Sequence, residues 1–215
     1  MLRINIGCGQ TPTKGWRNFD NSLSVRLSKF PRFFSKSLFQ LKLLEKSQHE
    51  FIEFCRTNLI EYGDPIKRLP LADASVDVLY SSHMMEHLDQ IEADQFLKEV
   101  RRVLRKKGII RLALPDLRLL SERYLTTRNL DQFMTSVHLA QPKPRTIAKR
   151  LSMIFVGTRN HHWMYDGESL CRLLASHGFI NAVVVEAGKT RIPNHEPLNL
   201  RERESESVYV EAESS

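Results

Sequence analysis

The sequence predicts an α/β fold built around a parallel sheet, and three observations carry that prediction. Short apolar runs rich in β-branched residues alternate with helix-like segments along the chain, the pattern of strands joined by crossover helices. Between residues 76 and 114 the order is strand, turn, capped helix, glycine and strand, a unit that links parallel strands through a right-handed crossover. The first strand ends at Gly7-Cys8-Gly9, where two glycines allow a tight turn and a close approach of backbone to a ligand.

Taken in order, Arg3–Ile6 is an apolar run that closes on the glycine turn, and Phe19 precedes Asp20 in a second extended stretch. Residues 59–62 form a third strand ending at Gly63-Asp64. Residues 76–80 are apolar enough for a buried strand. Asp89-x-x-Glu92 then has the form of a capping box, with a carboxylate in place of the usual hydroxyl. Ala93, Leu97, Val100 and Leu104 recur at spacings of three and four, giving the helix one apolar face. Arg105, Lys106 and Lys107 are expected in its last turn, where cations meet the negative end of the dipole, and Gly108 is expected to terminate it. Residues 109–114 are the next strand, closed by Pro115. Asp166 caps a helix carrying Leu170, Leu173 and Leu174 that stops at Gly178. Residues 182–186 and 208–211 are the last two strands, with a polar turn around Ser205 and Ser207 before the final one.

A chain of 215 residues suffices for one well-buried core and is short for two α/β domains, so residues 1–215 are expected to be a single domain. Two stretches break the alternation and are expected as insertions. Residues 22–57 are rich in aromatic and basic side chains, from Arg26 and Lys29 through Phe33, Phe34 and Lys42. Residues 140–163 begin with prolines and carry a second basic cluster. No apolar run approaches the ~20 residues that span a bilayer, and the N-terminal stretch lacks a signal-peptide core; a cytoplasmic location is the expectation. Cys8, Cys55 and Cys171 are dispersed and form no C-x-x-C pair, which argues against a disulfide framework or a thiolate zinc site. The net charge of +7 favours anionic partners.

The glycine loop and Asp20 suit a nucleotide, since a carboxylate at the end of a second strand accepts hydrogen bonds from ribose hydroxyls. A dinucleotide is disfavoured. G-x-G-x-x-G would need glycine where the chain has Pro12, and Asp20 arrives too soon after the loop for a normal first helix.

His83-Met84-Met85-Glu86-His87 spells H-x-x-E-H, a zinc-peptidase signature that works only with both histidines one turn apart on a helix. Here His83 directly follows the strand at 76–80 and the helix starts only at Asp89, so the two histidines straddle a strand-to-helix connection. No metal is expected on that ground. His87 is expected to pack at the connection with a backbone hydrogen bond, and His83 to face the ligand end. His161-His162-Trp163 precedes the cap at Asp166. Its histidines are candidates for an acid/base role, and Trp163 for a core anchor. Asp116, after the fifth strand, is either a site residue or a helix cap.

The stretches INIGCG, GWRNFD, GDPIKRLPLADASVDVLYSSHMMEHL, EVRRVLRKKGIIRLALPD and SVYVEAE together resemble class I S-adenosylmethionine-dependent methyltransferases. The likeness is to a small bacterial branch with a compressed first crossover, similar to methyltransferase type 11. The resemblance runs from about residue 2 to 116 and again from about 161 to 212. It implies a Rossmann-like sheet of seven strands with the last one antiparallel, carrying the helical and basic insertions, and S-adenosylmethionine as cofactor. It further implies Gly7, Cys8 and Gly9 beside the methionine part and Asp20 on the ribose. Gly63 and Asp64 would flank the adenine, and Ser81, Ser82 and His83 would line the methyl-donor site.

Methyl transfer from a sulfonium is an in-line displacement that needs an aligned nucleophile and, for oxygen, a base such as histidine. The expectation is therefore O-methylation of a small hydroxylated acceptor (a sugar, a glycan precursor or another metabolite), anionic in view of the basic loops. His83, His161 or His162 would be the base. Two alternatives stand beside it. One is an RNA methyltransferase, supported by interleaved charge and aromatics and opposed by the lack of N-P-P-Y or D-P-P-Y after the fourth strand. The other is a cofactor-binding partner subunit without activity. The run at residues 22–44 is expected to be a lid over the cofactor, with a peripheral membrane contact as the alternative.

Overall fold

The structure, a computed structural model, describes residues 1–41, 43–138 and 160–215. Seven strands form one sheet: β1 (Arg3–Ile6), β2 (Arg17–Asp20), β3 (Ile60–Tyr62), β4 (Val76–Ser82), β5 (Leu104–Pro115), β6 (Phe179–Val185) and β7 (Ser207–Ser214), in the order β3-β2-β1-β4-β5-β7-β6. The pairs among β1 to β5 are parallel, and β7 runs antiparallel between β5 and β6. The described helices are α1 (Leu23–Leu27), α2 (Arg32–Gln40), α3 (Lys46–Thr57), α4 (Gln90–Val103), α5 (Leu117–Thr127), α6 (Leu130–Val137) and α7 (Gly167–Ser176).

The strand order reverses between β1 and β4. The chain leaves β1 toward β2 on one side and leaves β4 toward β5 on the other, so a crevice opens above the carboxyl ends of these two strands, the usual ligand position in such sheets. No helix lies between β1 and β2, which is the compression expected from the early Asp20. The connection is held instead by two buried asparagines. Asn5 Nδ2 donates to Thr13 Oγ1 (3.1 Å) and the Thr11 carbonyl (3.2 Å), while Asn18 Oδ1 accepts from the Thr13 amide (2.7 Å). Residues 22–57, expected as an excursion, also make the whole crossover from β2 to β3 through α1, α2 and α3.

The main core lies between the sheet and helices α4 and α7. Ile4, Ile6, Phe19 and Leu79 meet Phe96, Leu97, Val100, Leu170 and Leu174 there. On the other face Val78, Tyr80, Ala113 and Tyr209 are covered by Trp16 and by Ile192, Leu198 and Leu200 from the irregular chain before β7. That face also holds Arg111, fully buried with Glu211 at 2.6 Å. The two are cross-strand partners in β5 and β7.

Helix α4 starts as expected. The Asp89 side chain accepts from the Glu92 amide and Glu92 reaches back to the Asp89 amide, a complete capping box. Its end differs. The helix stops at Val103, and Arg101 and Arg102 are the cations of its last turn. Leu104 turns extended to pair with Val76, and Arg105, Lys106 and Lys107 fall in a bulge of β5 before Ile109 pairs with Val78. Burial of Leu104 in the core outweighs the helix propensity of three exposed cations. Gly108 is thus a strand residue rather than a helix terminator. A Cβ there would lie 2.9 Å from the Arg105 carbonyl oxygen and 3.0 Å from that of Val76. Since both neighbours are backbone, Gly108→Ala is expected to destabilise the protein by about 1–3 kcal/mol, read as a lower urea midpoint with unchanged slope.

Strands β4 and β7 also run beyond their expected limits and β6 starts earlier, at Phe179, because neighbouring strands continue to offer hydrogen-bonding partners: Ser81 and Ser82 pair with Leu112 and Ala113. Asp166 caps α7 through the Ser169 amide, and Gly178 follows in the left-handed region at φ +80°. Residues 139–159, most of the second expected insertion, lie outside the described residues, as does Lys42.

Candidate functional site

The loop after β1 is built around one carboxylate. Gly7 and Gly9 have φ of +70° and +48°, the region that favours glycine. The amides of Gly7 and Cys8 both donate to the Phe19 carbonyl, at 2.8 and 3.1 Å. Asp20 Oδ2 accepts from the Gly9 amide (3.1 Å) and Oδ1 from the Ser22 amide (2.8 Å). Asp20 thereby fixes both the glycine loop and the entry to α1. A Cβ at Gly7 would come within 2.5 Å of Met84 Cγ, so the loop can lie against the chain after β4 only as glycine. Cys8 turns its side chain away from the crevice into a cluster with Val25, Cys55 and Ile60. Burial, with a further contribution from Asp20, raises both thiols well above the ordinary range, Cys55 to about 11. Neither is a nucleophile at neutral pH.

At the end of β3, Gly63 leaves no room for a side chain: a Cβ would meet the Phe19 ring at 2.8 Å. Asp64 follows, accepting from the Ile66 amide (3.3 Å) and pairing with Lys67 (3.0 Å).

Beyond β4 the chain turns sharply at His83, which has φ +47° and donates its amide to the Ala113 carbonyl. His83 Nε2 lies 2.9 Å from Ser207 Oγ, and Nδ1 lies 3.3 Å from Glu86 Oε1. A single 3-10 turn, Met85–His87, follows, so the H-x-x-E-H letters do not form one helical turn. Glu86 is 1% exposed. His87 Nδ1 bonds the Asn160 carbonyl at 3.0 Å, the backbone partner expected of it. From a distant part of the chain His161 enters beside Glu86, with Nε2 4.0 Å from Oε1, and packs edge-on against His87 and next to His138. Burial, only partly offset by Glu86, lowers the His161 pKa to about 4, so its imidazole is neutral at pH 7.

Gly7, Gly9, Asp20, Asp64, His83 and His162 line one cleft of about 760 Å³, at the reversal of the strand order. His161 stands behind its wall, buried with Glu86. Ser81 and Ser82 are still in the sheet rather than on the cleft floor, because β4 continues through them; Ser81 Oγ donates to the Ile6 carbonyl at 2.9 Å. Gly63 borders the adjoining hollow with Asp64. Trp163 is 46% exposed and anchors no core; in this segment Tyr165 is the residue that packs into the core. Asp116 accepts from the Arg118 amide and caps α5. Reasoning from sequence missed Glu86 as the centre of a histidine group, and Arg203, which lies 3.4 Å from His83 at the cleft. Glu86 was signalled only by a charged residue among buried neighbours.

A seven-stranded sheet with this order and one antiparallel strand, and a ligand cleft at its switch point, define the class I methyltransferase fold. The profile described as a methyltransferase domain matches residues 40–112. Among solved structures, an S-adenosylmethionine-dependent methyltransferase of Thermotoga maritima, described as a possible histamine N-methyltransferase, superposes with TM-score 0.54 at 17% identity, covering 100% of this chain and 82% of that one. A Methanosarcina mazei S-adenosylmethionine-dependent methyltransferase gives TM-score 0.53 at 16% identity over 99% and 92% of the two chains. At these identities the likeness is one of fold. No curated protein shows significant sequence similarity to the chain. The profile covers about a third of the chain and the solved structures share its fold; both are likenesses to class I S-adenosylmethionine-dependent methyltransferases.

Proposed function

We propose that this enzyme methylates an oxygen of a small hydroxylated acceptor, of the sugar, glycan-precursor or metabolite kind, with residues 1–215 acting as one domain in the cytoplasm. The observation that carries this is the placement of His83 and His162 on the cleft that Gly7, Gly9 and Asp20 also line. In this reading Gly7, Cys8 and Gly9 pass the methionine part along their backbone, and Asp20 takes the ribose hydroxyls. Gly63 and Asp64 border the adenine. The acceptor oxygen attacks the methyl carbon in line, the C–O bond forms as the C–S bond breaks, and the electron pair stays on sulfur. The hydroxyl proton passes to a ring nitrogen of His83 or His162. Arg203 at the edge of the cleft favours an anionic acceptor.

The lid reading of residues 22–44 is supported by Leu23 and Leu27 of α1, which line the cleft with Phe51 of α3. The outer side of the same segment leaves Phe30, Phe33, Leu41 and Leu43 exposed, which supports a peripheral membrane contact as a second use. No helix among the described residues is long and apolar enough to cross a membrane.

Screening sugar, phenolic and RNA acceptors with radiolabelled methyl donor tests the reading. With the acceptor found, His83→Ala and His162→Ala are expected to lower kcat by about 10²–10⁴-fold for whichever residue is the base, with cofactor affinity retained. Full turnover in both variants, or exclusive methylation of RNA, would overturn it.

A further inference from the structure

We propose that Glu86, His87 and His161 form a binding site for a divalent transition-metal cation of the zinc class, with one coordination position open toward the cleft. The three residues each offer one ligand atom, all within 4.8 Å of one another. Two imidazoles and a carboxylate are a common zinc set, at ligand distances of about 2.0–2.2 Å that hold donors roughly 3.3–3.6 Å apart. Side-chain rotations of about 1 Å would close the present spacing to that value.

Two further observations point the same way. Glu86 is 1% exposed, yet neither carboxylate oxygen makes a hydrogen bond with any described residue. A buried carboxylate without partners is costly unless a cation compensates it, and among the described residues the basic groups within 4.0 Å of it are His83 and His161. His161 Nδ1 is likewise buried with no hydrogen-bond partner among the described residues. His87 is already arranged as a ligand: its Nδ1 is engaged by the Asn160 carbonyl, which leaves Nε2 with its lone pair outward, the usual outer support of a metal-bound histidine. Of the three, His87 borders the cleft, so the side of the ion left free by the protein would face it. This set differs from the zinc-peptidase arrangement. It takes Glu86 and His87 from one 3-10 turn and its third ligand from the segment before α7.

The test uses the full-length protein, stripped with a chelator and titrated calorimetrically with zinc sulfate, with S-adenosylmethionine titrated separately as a control for folding. One equivalent of zinc is expected to bind, and Glu86→Gln and His161→Gln are each expected to weaken it by roughly 100-fold or more while S-adenosylmethionine binding stays at the wild-type value. X-ray absorption at the zinc edge of the wild type gives the ligand set without any variant: two imidazole nitrogens and carboxylate oxygen at about 2.0–2.2 Å are expected. No binding of zinc, cobalt, nickel or manganese, zinc binding unaltered in both variants, or a sulfur-containing shell would each overturn the site. Because the cofactor titration is independent of the metal, failure here is distinguishable from failure of the methyltransferase reading.

Discussion

Asp20→Ala is expected to weaken S-adenosylmethionine binding by at least about 100-fold. Each oxygen of this carboxylate already takes one backbone N–H, from Gly9 and from Ser22, and an ionised carboxylate keeps further acceptor capacity for the ribose hydroxyls. Hydrogen bonds to a charged group contribute about 1.5–3 kcal/mol each, so losing the proposed ribose contacts alone reaches that factor. Release of the Gly9 loop adds to it, because the loop then explores conformations that do not fit the cofactor. Asp20→Asn, which retains one acceptor oxygen, is expected to fall between the two. Calorimetric titration reads both variants, and an unchanged Kd in Asp20→Ala would remove the ribose from this end of β2. Asp64→Ala is the companion measurement for the adenine side.

Arg111→Met is expected to destabilise the fold by about 3–5 kcal/mol, the usual effect of removing one member of a buried ion pair. Arg111 and Glu211 are both fully buried, 2.6 Å apart. Arg111 also donates to the carbonyls of Lys189 (3.0 Å) and Leu200 (3.3 Å), and Glu211 accepts from Thr190 Oγ1 (2.6 Å) and the Arg191 amide (2.8 Å). The pair therefore ties the irregular chain at residues 189–200 to the centre of the sheet. Removal of the guanidinium leaves a buried carboxylate and two carbonyls short of donors. Urea unfolding should show the loss, and limited proteolysis should show faster cleavage within 189–200. The double variant Arg111→Met with Glu211→Gln is expected to recover part of the stability, because no net charge then remains buried. A single variant as stable as the wild type would mean that the pair is solvated in solution.

The second effect arises from contacts that the sequence could not display. Residues 109–114 are recognisable as a buried strand from their apolar run, but nothing local says that Arg111 within it meets Glu211, since that depends on the antiparallel register of β7 against β5. The end of α4 shows the same limit. Ala93, Leu97 and Val100 gave its period and Asp89 with Glu92 its start, because a capping box and an apolar stripe are satisfied within a few residues. Its stop at Val103 is set by Leu104 pairing with Val76 across the sheet, which propensity does not register. Ser81 and Ser82 follow the apolar run of the fourth strand, where sequence alone places them at the cleft, and the pairing of β4 with β5 keeps them inside the sheet instead.

The candidate site divides along the same line. Gly7, Gly9, Asp20, Asp64 and His83 could be singled out because turns, strand ends and their spacing are local features, and parallel crossovers bring successive strand ends to one edge. The sequence by itself thus determined the α/β class, the compressed first connection and which residues stand at the carboxyl ends of the strands. Only the tertiary structure decided that Glu86 lies buried between His83 and His161, that Cys8 turns inward, and that a loop rather than a helix closes one face of the sheet over Arg111. Those outcomes depend on which distant segments share a buried volume, and burial is settled by the whole packed chain, where no local pattern records it.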